Sequence, residues 1–173
     1  MVTLSYRSRR LEEKALAKII YHLRYQHYPP SNYINWSLKR LLKKIEELNL
    51  ILDVTHLSDI SFWESIETFN GPIWASHSNC RSLVPNKRQL SDDQIKVLIS
   101  KGAIIGMALD AWMMVPNWKR GITDPIKKRL FLEKIIDHID HICQLSGNSN
   151  HVGIGSDLDG GFGREPVSYT HLR

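Results

Sequence analysis

The chain has 173 residues, of which 42% are hydrophobic and 24% are charged, the proportions of an ordinary soluble globular domain. Its longest apolar run, residues 103–115, contains an aspartate and falls short of the roughly 20 residues that a membrane span needs. No apolar stretch follows the N-terminal charges as it would in a secretory signal, so we expect no membrane segment and a cytoplasmic location. The two cysteines lie far apart and predict neither a disulfide framework nor a cysteine zinc site.

The net charge of +5 comes from the first part of the chain. Residues 1–50 contain 10 Lys and Arg against 4 Asp and Glu, whereas residues 51–173 contain 13 against 14. Nucleic-acid binding through residues 1–50 is one hypothesis, but a basic segment without a recognition motif is more commonly a solvated face. We therefore expect no nucleic-acid partner.

Four short apolar runs predict β-strands, and amphipathic segments lie before and between them. The strands are predicted at residues 50–56, 72–77, 103–110 and 151–157. Each run is too short for a helix, and its nearly continuous apolarity suits a parallel strand that is covered on both faces.

Helix signals fill the other segments, and helices are predicted at 37–48, 58–69, 95–101 and 124–145. Ser91 and Gln94 form a capping-box pattern before the third helix, and Asp124 followed by a proline marks the start of the fourth. In the second helix apolar residues recur in steps of three, and we expect this stripe to be buried: Ile60, Trp63, Ile66 and Phe69.

This alternation predicts an α/β protein, either a (β/α)8 barrel or a doubly wound open sheet. Every predicted strand delivers a His or an Asp at its C-terminal end, the edge at which barrel enzymes assemble their catalytic residues. No glycine-rich loop follows the first strand, as an open nucleotide-binding sheet would require. A full barrel needs about 250 residues, so we expect a partial TIM-type barrel.

His56 and His77 end two neighbouring predicted strands, so their imidazoles could converge on one metal ion. A single histidine of this kind is more commonly a hydrogen-bonded core residue, but two at equivalent strand ends suit zinc. Asp157 ends the last strand in a glycine-rich segment, where it could act as a general acid or base, or merely cap a turn. Asp159 is expected to order that loop.

Arg81 and Arg88 follow the His77 strand in a long loop, where an arginine fork could hold a substrate carboxylate. Most loop arginines are only solvated. His138 and His141 lie three residues apart in the last predicted helix and could be mistaken for a pair of metal ligands. Because the helices of a barrel lie outside its active mouth, we expect no metal there and no contact with Asp157.

Five segments together resemble the renal, or membrane, dipeptidase family of zinc peptidases. They are residues 53–59, residues 75–79 with the following Arg81 and Arg88, and residues 90–95, 137–142 and 153–160. The resemblance implies the C-terminal half of a metal-dependent hydrolase barrel, with residues 37–164 as its partial dipeptidase domain.

The resemblance also implies an activity and a set of roles. The family hydrolyses dipeptides that carry a free C-terminal carboxylate by means of a zinc-activated water. By resemblance, His56 and His77 bind one zinc of a two-zinc centre, Arg88 contacts the substrate carboxylate, and Asp157 handles the proton. A homodimer is compatible with the full-length form.

Several family residues lack counterparts here, namely a His-x-Asp pair, a bridging Glu and a substrate-polarising His. Residues 1–36 resemble a non-native junction, and residues 165–173 a tail foreign to the family. The alternative interpretation is therefore a catalytically inactive barrel fragment that lacks half of its metal ligands. On this count we expect at most trace dipeptidase activity from the 173-residue chain with added zinc.

Overall fold

A computed structural model of the chain describes residues 31–157, with side chains from residue 38 onward. Most of the predicted junction, Asp159 and the tail at 165–173 lie outside the described residues. The chain divides into two compact units, Met1–Pro72 and Ile73–Arg173.

The first unit contains helix α1 (Ser31–Glu47), strand β1 (Leu52–Asp53) and helix α2 (Asp59–Thr68). The two helices pack on each other, and the core of the unit consists of Leu38, Leu42, Leu52, Val54, Phe62, Ile66 and Phe69. Helix α1 begins six residues before the predicted start. The strand is much shorter than predicted because the chain turns directly after it, where the Asp53 carboxylate accepts the Thr55 N–H at 3.0 Å.

Helix α2 begins as the sequence predicts, and its buried face coincides with the predicted apolar stripe only in part. Ser58 caps it by accepting the Ser61 N–H at 3.2 Å. Ile66 and Phe69 are buried as expected, but Ile60 and Trp63 are exposed and Phe62 is buried, so the predicted stripe is wrong in its first half. A step of three drifts around a helix of 3.6 residues per turn, and the buried side follows the helical period instead.

The second unit contains three strands and three helices within the described residues. In chain order they are β2 (Ile73–Trp74), α3 (Asp92–Ser100), β3 (Ile105–Met107), α4 (Ala111–Met114), α5 (Lys134–Ser146) and β4 (Val152–Ile154). Strands β3 and β4 pair in parallel with Gly106 opposite Gly153. Ala75 forms a parallel bridge with Ile105, so the chain after β2 runs along the other side of β3. The α/β prediction is confirmed.

Two glycines allow the strands to approach closely at their C-terminal ends. A Cβ atom added at Gly106 or at Gly155 would collide with the carbonyl oxygen of Ser76. Main-chain hydrogen bonds continue past the short strands, from Ser78 N to Gly106 O at 2.8 Å and from Leu109 N to Ser156 O at 3.2 Å. These contacts hold the chain segments that follow β2, β3 and β4 side by side.

Helix α3 agrees with its capping-box prediction, because Ser91 Oγ accepts the Gln94 N–H and Gln94 Oε1 accepts the Ser91 N–H. The prediction of one helix over 124–145 is wrong in its first part. Asp124 does cap a turn, accepting the Ile126 N–H at 2.8 Å, but Arg129 then adopts a left-handed φ of 52° and ends it. The helix proper begins at Lys134.

Apolar side chains are not all covered. Ile154, on β4, is 67% exposed, and Ile104, just before β3, is 50% exposed. We expected the predicted strands to be covered on both faces, and within the described residues β4 is not.

None of the helices in residues 31–157 combines the length and apolar character that a membrane span requires.

Candidate functional site

Three of the four predicted site residues meet in the second unit. His77 follows β2 and Asp157 follows β4, and His77 Nε2 lies 3.5 Å from Asp157 Oδ2. Both side chains are largely buried, at 19% and 14% exposure. The parallel order of the strands explains this meeting, since the C-terminal ends of parallel strands share one edge.

The other ring nitrogen of His77 is also engaged. Nδ1 lies 2.7 Å from Ser76 Oγ, a hydrogen bond that orients the ring and directs Nε2 towards Asp157. A hydrogen bond of this kind on the second nitrogen is the usual support of a metal-bound imidazole.

The donor set can be compared with what zinc requires. An imidazole nitrogen and a carboxylate oxygen are both zinc ligands, with bonds of about 2.0 to 2.2 Å. The 3.5 Å between Nε2 and Oδ2 is long for a hydrogen bond, but it is close to the spacing of two donors around one tetrahedral ion. The pair therefore suits a zinc site, in which His77 would supply an imidazole ligand and the neighbouring carboxylate could either bind the ion or handle a proton. No group of three or more His, Cys, Asp or Glu side chains able to hold a metal occurs within residues 38–157.

Arg88 lies beside His77. Its Nη2 donates to the His77 carbonyl at 2.9 Å and its Nη1 donates to Ser78 Oγ at 3.3 Å. The loop that follows His77 thus returns to the end of β2 and places the Arg88 guanidinium there. Arg81 has a different place, since its Nε donates to Gln89 O and its Nη2 to Lys87 O, so it braces the loop itself.

His56 lies in the first unit, in the turn that begins two residues after the end of β1, and is exposed. Its φ of 71° and the φ of 56° at Asp157 place both residues in the left-handed region, which non-glycine residues seldom occupy. Such backbone strain concentrates at functional sites. The role of His56 as a metal ligand stays a prediction.

His138 and His141 both lie on helix α5, and each contacts residues outside that helix. His138 is buried; its Nδ1 accepts the Cys80 N–H at 3.1 Å and its Nε2 donates to Met114 O at 3.2 Å. Burial lowers the pKa of His138, which favours the neutral ring that these two bonds require. His141 Nε2 lies 2.9 Å from Asp92 Oδ1.

Asp110, the strand-end carboxylate after β3, also has a structural partner. It is almost fully buried and accepts a hydrogen bond from Arg120 Nη2 at 2.8 Å. Burial raises the pKa of Asp110, and the charge of Arg120 opposes this rise. The ion pair ties the long connection after α4 to the end of β3.

The sequence interpretation missed two buried amides next to the site, Asn79 and Gln89. Both are polar residues that neighbour candidate residues in the chain, and each is 1% exposed. Their proximity to His77 and Arg88 was the available signal, but exposed loop amides are so common that sequence alone does not distinguish them.

Comparisons with known proteins match the same region. A family model described as membrane dipeptidase, peptidase family M19, matches residues 37–168. A Klebsiella pneumoniae protein described as an uncharacterized protein in the pqqA 5′ region is 30% identical over 120 residues, which are 69% of this chain and 42% of that protein. Dipeptidase tcpJ of Claviceps purpurea is 25% identical over 120 residues, 69% of this chain and 26% of its own length.

A solved structure described as the dipeptidase AC, a metallopeptidase of family M19, is also similar. It superposes with a TM-score of 0.65 at 26% identity, covering 76% of this chain and 36% of that one. The chain thus spans less than half the length of each of these relatives.

Proposed function

Because this chain belongs to the membrane dipeptidase family, we propose that it supplies part of the active site of a zinc-dependent dipeptidase. The substrate is a dipeptide with a free C-terminal carboxylate. The observation that carries the proposal is the meeting of His77 and Asp157, from two different strand ends, with the Arg88 guanidinium bound to the backbone of His77.

The roles follow from the chemistry of the side chains. His77 is proposed to bind zinc through Nε2, supported on Nδ1 by Ser76, and His56 is proposed as a further ligand on the strength of the family resemblance. When bound, zinc lowers the pKa of water and polarises a carbonyl. The expected two-zinc centre is part of this proposal.

Asp157 is proposed as the group that moves the proton. Its carboxylate would accept a proton from the attacking water and later deliver it to the leaving amine. Its placement beside an imidazole in a largely buried site suits this role, because a positioned carboxylate in a poorly solvated site transfers protons without reorganising water.

Arg88 is proposed to hold the C-terminal carboxylate of the substrate. A guanidinium presents several N–H donors in a fixed fork, so it can bind a carboxylate in a bidentate manner. The fold that would present these groups is a partial (β/α)8 barrel, a proposal supported by the parallel β2, β3 and β4 with helices between them.

Zinc binding by the 173-residue chain is the first test. Equilibrium dialysis followed by metal analysis should show zinc retained by the folded chain and lost on His77→Ala, whereas His141→Ala should retain it. A folded chain that retains no more zinc than the His77→Ala variant would refute the proposed metal role.

Hydrolysis is the second test, measured as amino-acid release from simple dipeptides with and without chelator. A chimera in which residues 37–157 replace the matching segment of dipeptidase tcpJ should be active and should lose activity on Asp157→Asn but not on Asp140→Asn. A folded, zinc-loaded chimera that is inert, or equally active with Asp157→Asn, would contradict the proposal. Robust chelator-sensitive turnover by the 173-residue chain alone would rule out the inactive-fragment alternative.

A further inference from the structure

The loop that carries Arg88 is closed at its base by main-chain hydrogen bonds. Arg81 N donates to Leu90 O at 2.8 Å and Leu90 N donates to Asn79 O at 3.0 Å. The loop therefore leaves the strand end and returns to it within about a dozen residues, with Arg88 on the returning side. The position of Arg88 relative to His77 depends on how this base is held.

Asn79 binds the base of the loop to the end of β3 and to α4. Its Nδ2 donates to Ala108 O at 3.0 Å and to Met113 O at 3.1 Å, and its Oδ1 accepts the Ala108 N–H at 2.8 Å. Both amide hydrogens are used, and every partner is a main-chain group. The side chain thus acts as a fixed spacer between backbone segments.

Gln89 completes the arrangement from the returning side. Its Oε1 accepts the Asn79 N–H at 3.2 Å, and its Nε2 donates to Met113 O at 2.7 Å. The two amides therefore share the Met113 carbonyl as an acceptor. We refer to Asn79 and Gln89 together as the amide clamp.

An apolar replacement at either position would leave buried main-chain donors and acceptors without partners, which is costly. The two amides also lie close in sequence to the residues that they would position. Asn79 comes two residues after His77, and Gln89 comes directly after Arg88. We infer that Asn79 and Gln89 are positioning residues that fix the Arg88 guanidinium against the backbone of His77. The meaning of this for substrate binding rests on the proposed function.

The inference is tested by NMR of the arginine side chains in the 173-residue chain. A guanidinium N–H that donates to a carbonyl rotates slowly and gives a resolved signal at low temperature, and Arg88→Lys identifies the Arg88 signals by removing them. We expect these signals to be lost or averaged in Gln89→Leu, which abolishes both side-chain hydrogen bonds of Gln89. The matched control is Ile142→Val, a conservative change at a buried site on α5.

A second variant, Gln89→Glu, retains an acceptor for the Asn79 N–H but places a carboxylate oxygen against Met113 O in place of the amide donor, so it breaks the clamp by a different route. Unchanged Arg88 signals in either folded clamp variant, or equal loss in the Ile142→Val control, would overturn the inference. Failure of both clamp variants to fold would assign the amides to folding alone and would overturn it as well.

The activity readout separates this inference from the proposed function. In the chimera, Gln89→Glu should raise KM about tenfold with little change in kcat, because a misplaced carboxylate-binding group weakens substrate binding by roughly one hydrogen bond to a charged group. If the Gln89 variants of the 173-residue chain lose the Arg88 signals while the parent chimera is inert, the amide clamp is supported and the proposed dipeptidase function is refuted. A fall in kcat with unchanged KM would contradict the clamp.

Discussion

Removing the imidazole of His138 should destabilise the second unit strongly. The ring links three segments, since it lies on α5, accepts the Cys80 N–H and donates to Met114 O. His138→Ala leaves both buried main-chain groups without partners. At about 1 to 3 kcal/mol for each unpaired group, the free energy of unfolding should fall by about 2 to 6 kcal/mol. Natural domains have only about 5 to 15 kcal/mol of stability in total.

The same residue should make stability depend on pH. Burial lowers the pKa of His138 in the folded state, so the unfolded chain binds a proton that the folded chain resists. Its stabilising contribution is therefore present above the unfolded pKa of about 6.5 and is lost as the pH falls through the lower folded value. The slope from one such group is at most about 1.4 kcal/mol per pH unit.

Urea unfolding followed by tryptophan fluorescence at pH 8 and at pH 5.5 measures both effects. The difference in unfolding free energy between the parent chain and His138→Ala should be large at pH 8 and smaller at pH 5.5. His141→Ala serves as the control, because its partly exposed contact with Asp92 contributes about 1 kcal/mol at most. A loss below about 1 kcal/mol for His138→Ala, or a difference that does not change with pH, would refute the reasoning.

Two further predictions concern the thiols and the glycines. Burial, with a smaller contribution from Asp92, raises the pKa of Cys80 to about 12. Ellman's reagent at pH 8 should therefore modify Cys143 in the native chain and Cys80 only in urea. Equal rates of modification for both thiols in the native chain would contradict this. Gly155→Ala should destabilise the chain far more than Gly153→Ala, because a Cβ at Gly155 collides with the Ser76 carbonyl, whereas at Gly153 it meets only an Ile104 methyl at 3.4 Å. Urea midpoints measure this difference, and similar midpoints would show that the strands can separate at little cost.

The sequence predicted the fold where the signal was local. The capping box of α3 was readable because its side chains and their backbone partners lie three residues apart. The family prediction was confirmed by a family model that matches residues 37–168, the range that contains all five motifs. The meeting of His77 with Asp157 followed from parallel strands alone.

Other features depend on contacts that the sequence does not contain. The start of α5 was misplaced because the left-handed turn at Arg129 has no glycine or asparagine to announce it. The exposure of Trp63 depends on which side of α2 faces α1, and the roles of Asn79 and Gln89 depend on carbonyls of a distant helix. Burial of this kind is settled by tertiary packing, which single-sequence patterns do not determine.

The close approach at Gly106, Gly155 and Ser76 bears on how this protein can vary. Main-chain atoms of the segments that carry His77 and Asp157 meet directly here, so a side chain larger than a hydrogen at either glycine would force these segments apart. We expect exchanges of core residues in the surrounding helices to alter this spacing less than any side chain added at the two glycines. The tolerance of the site for sequence change should therefore be lowest at Gly106 and Gly155.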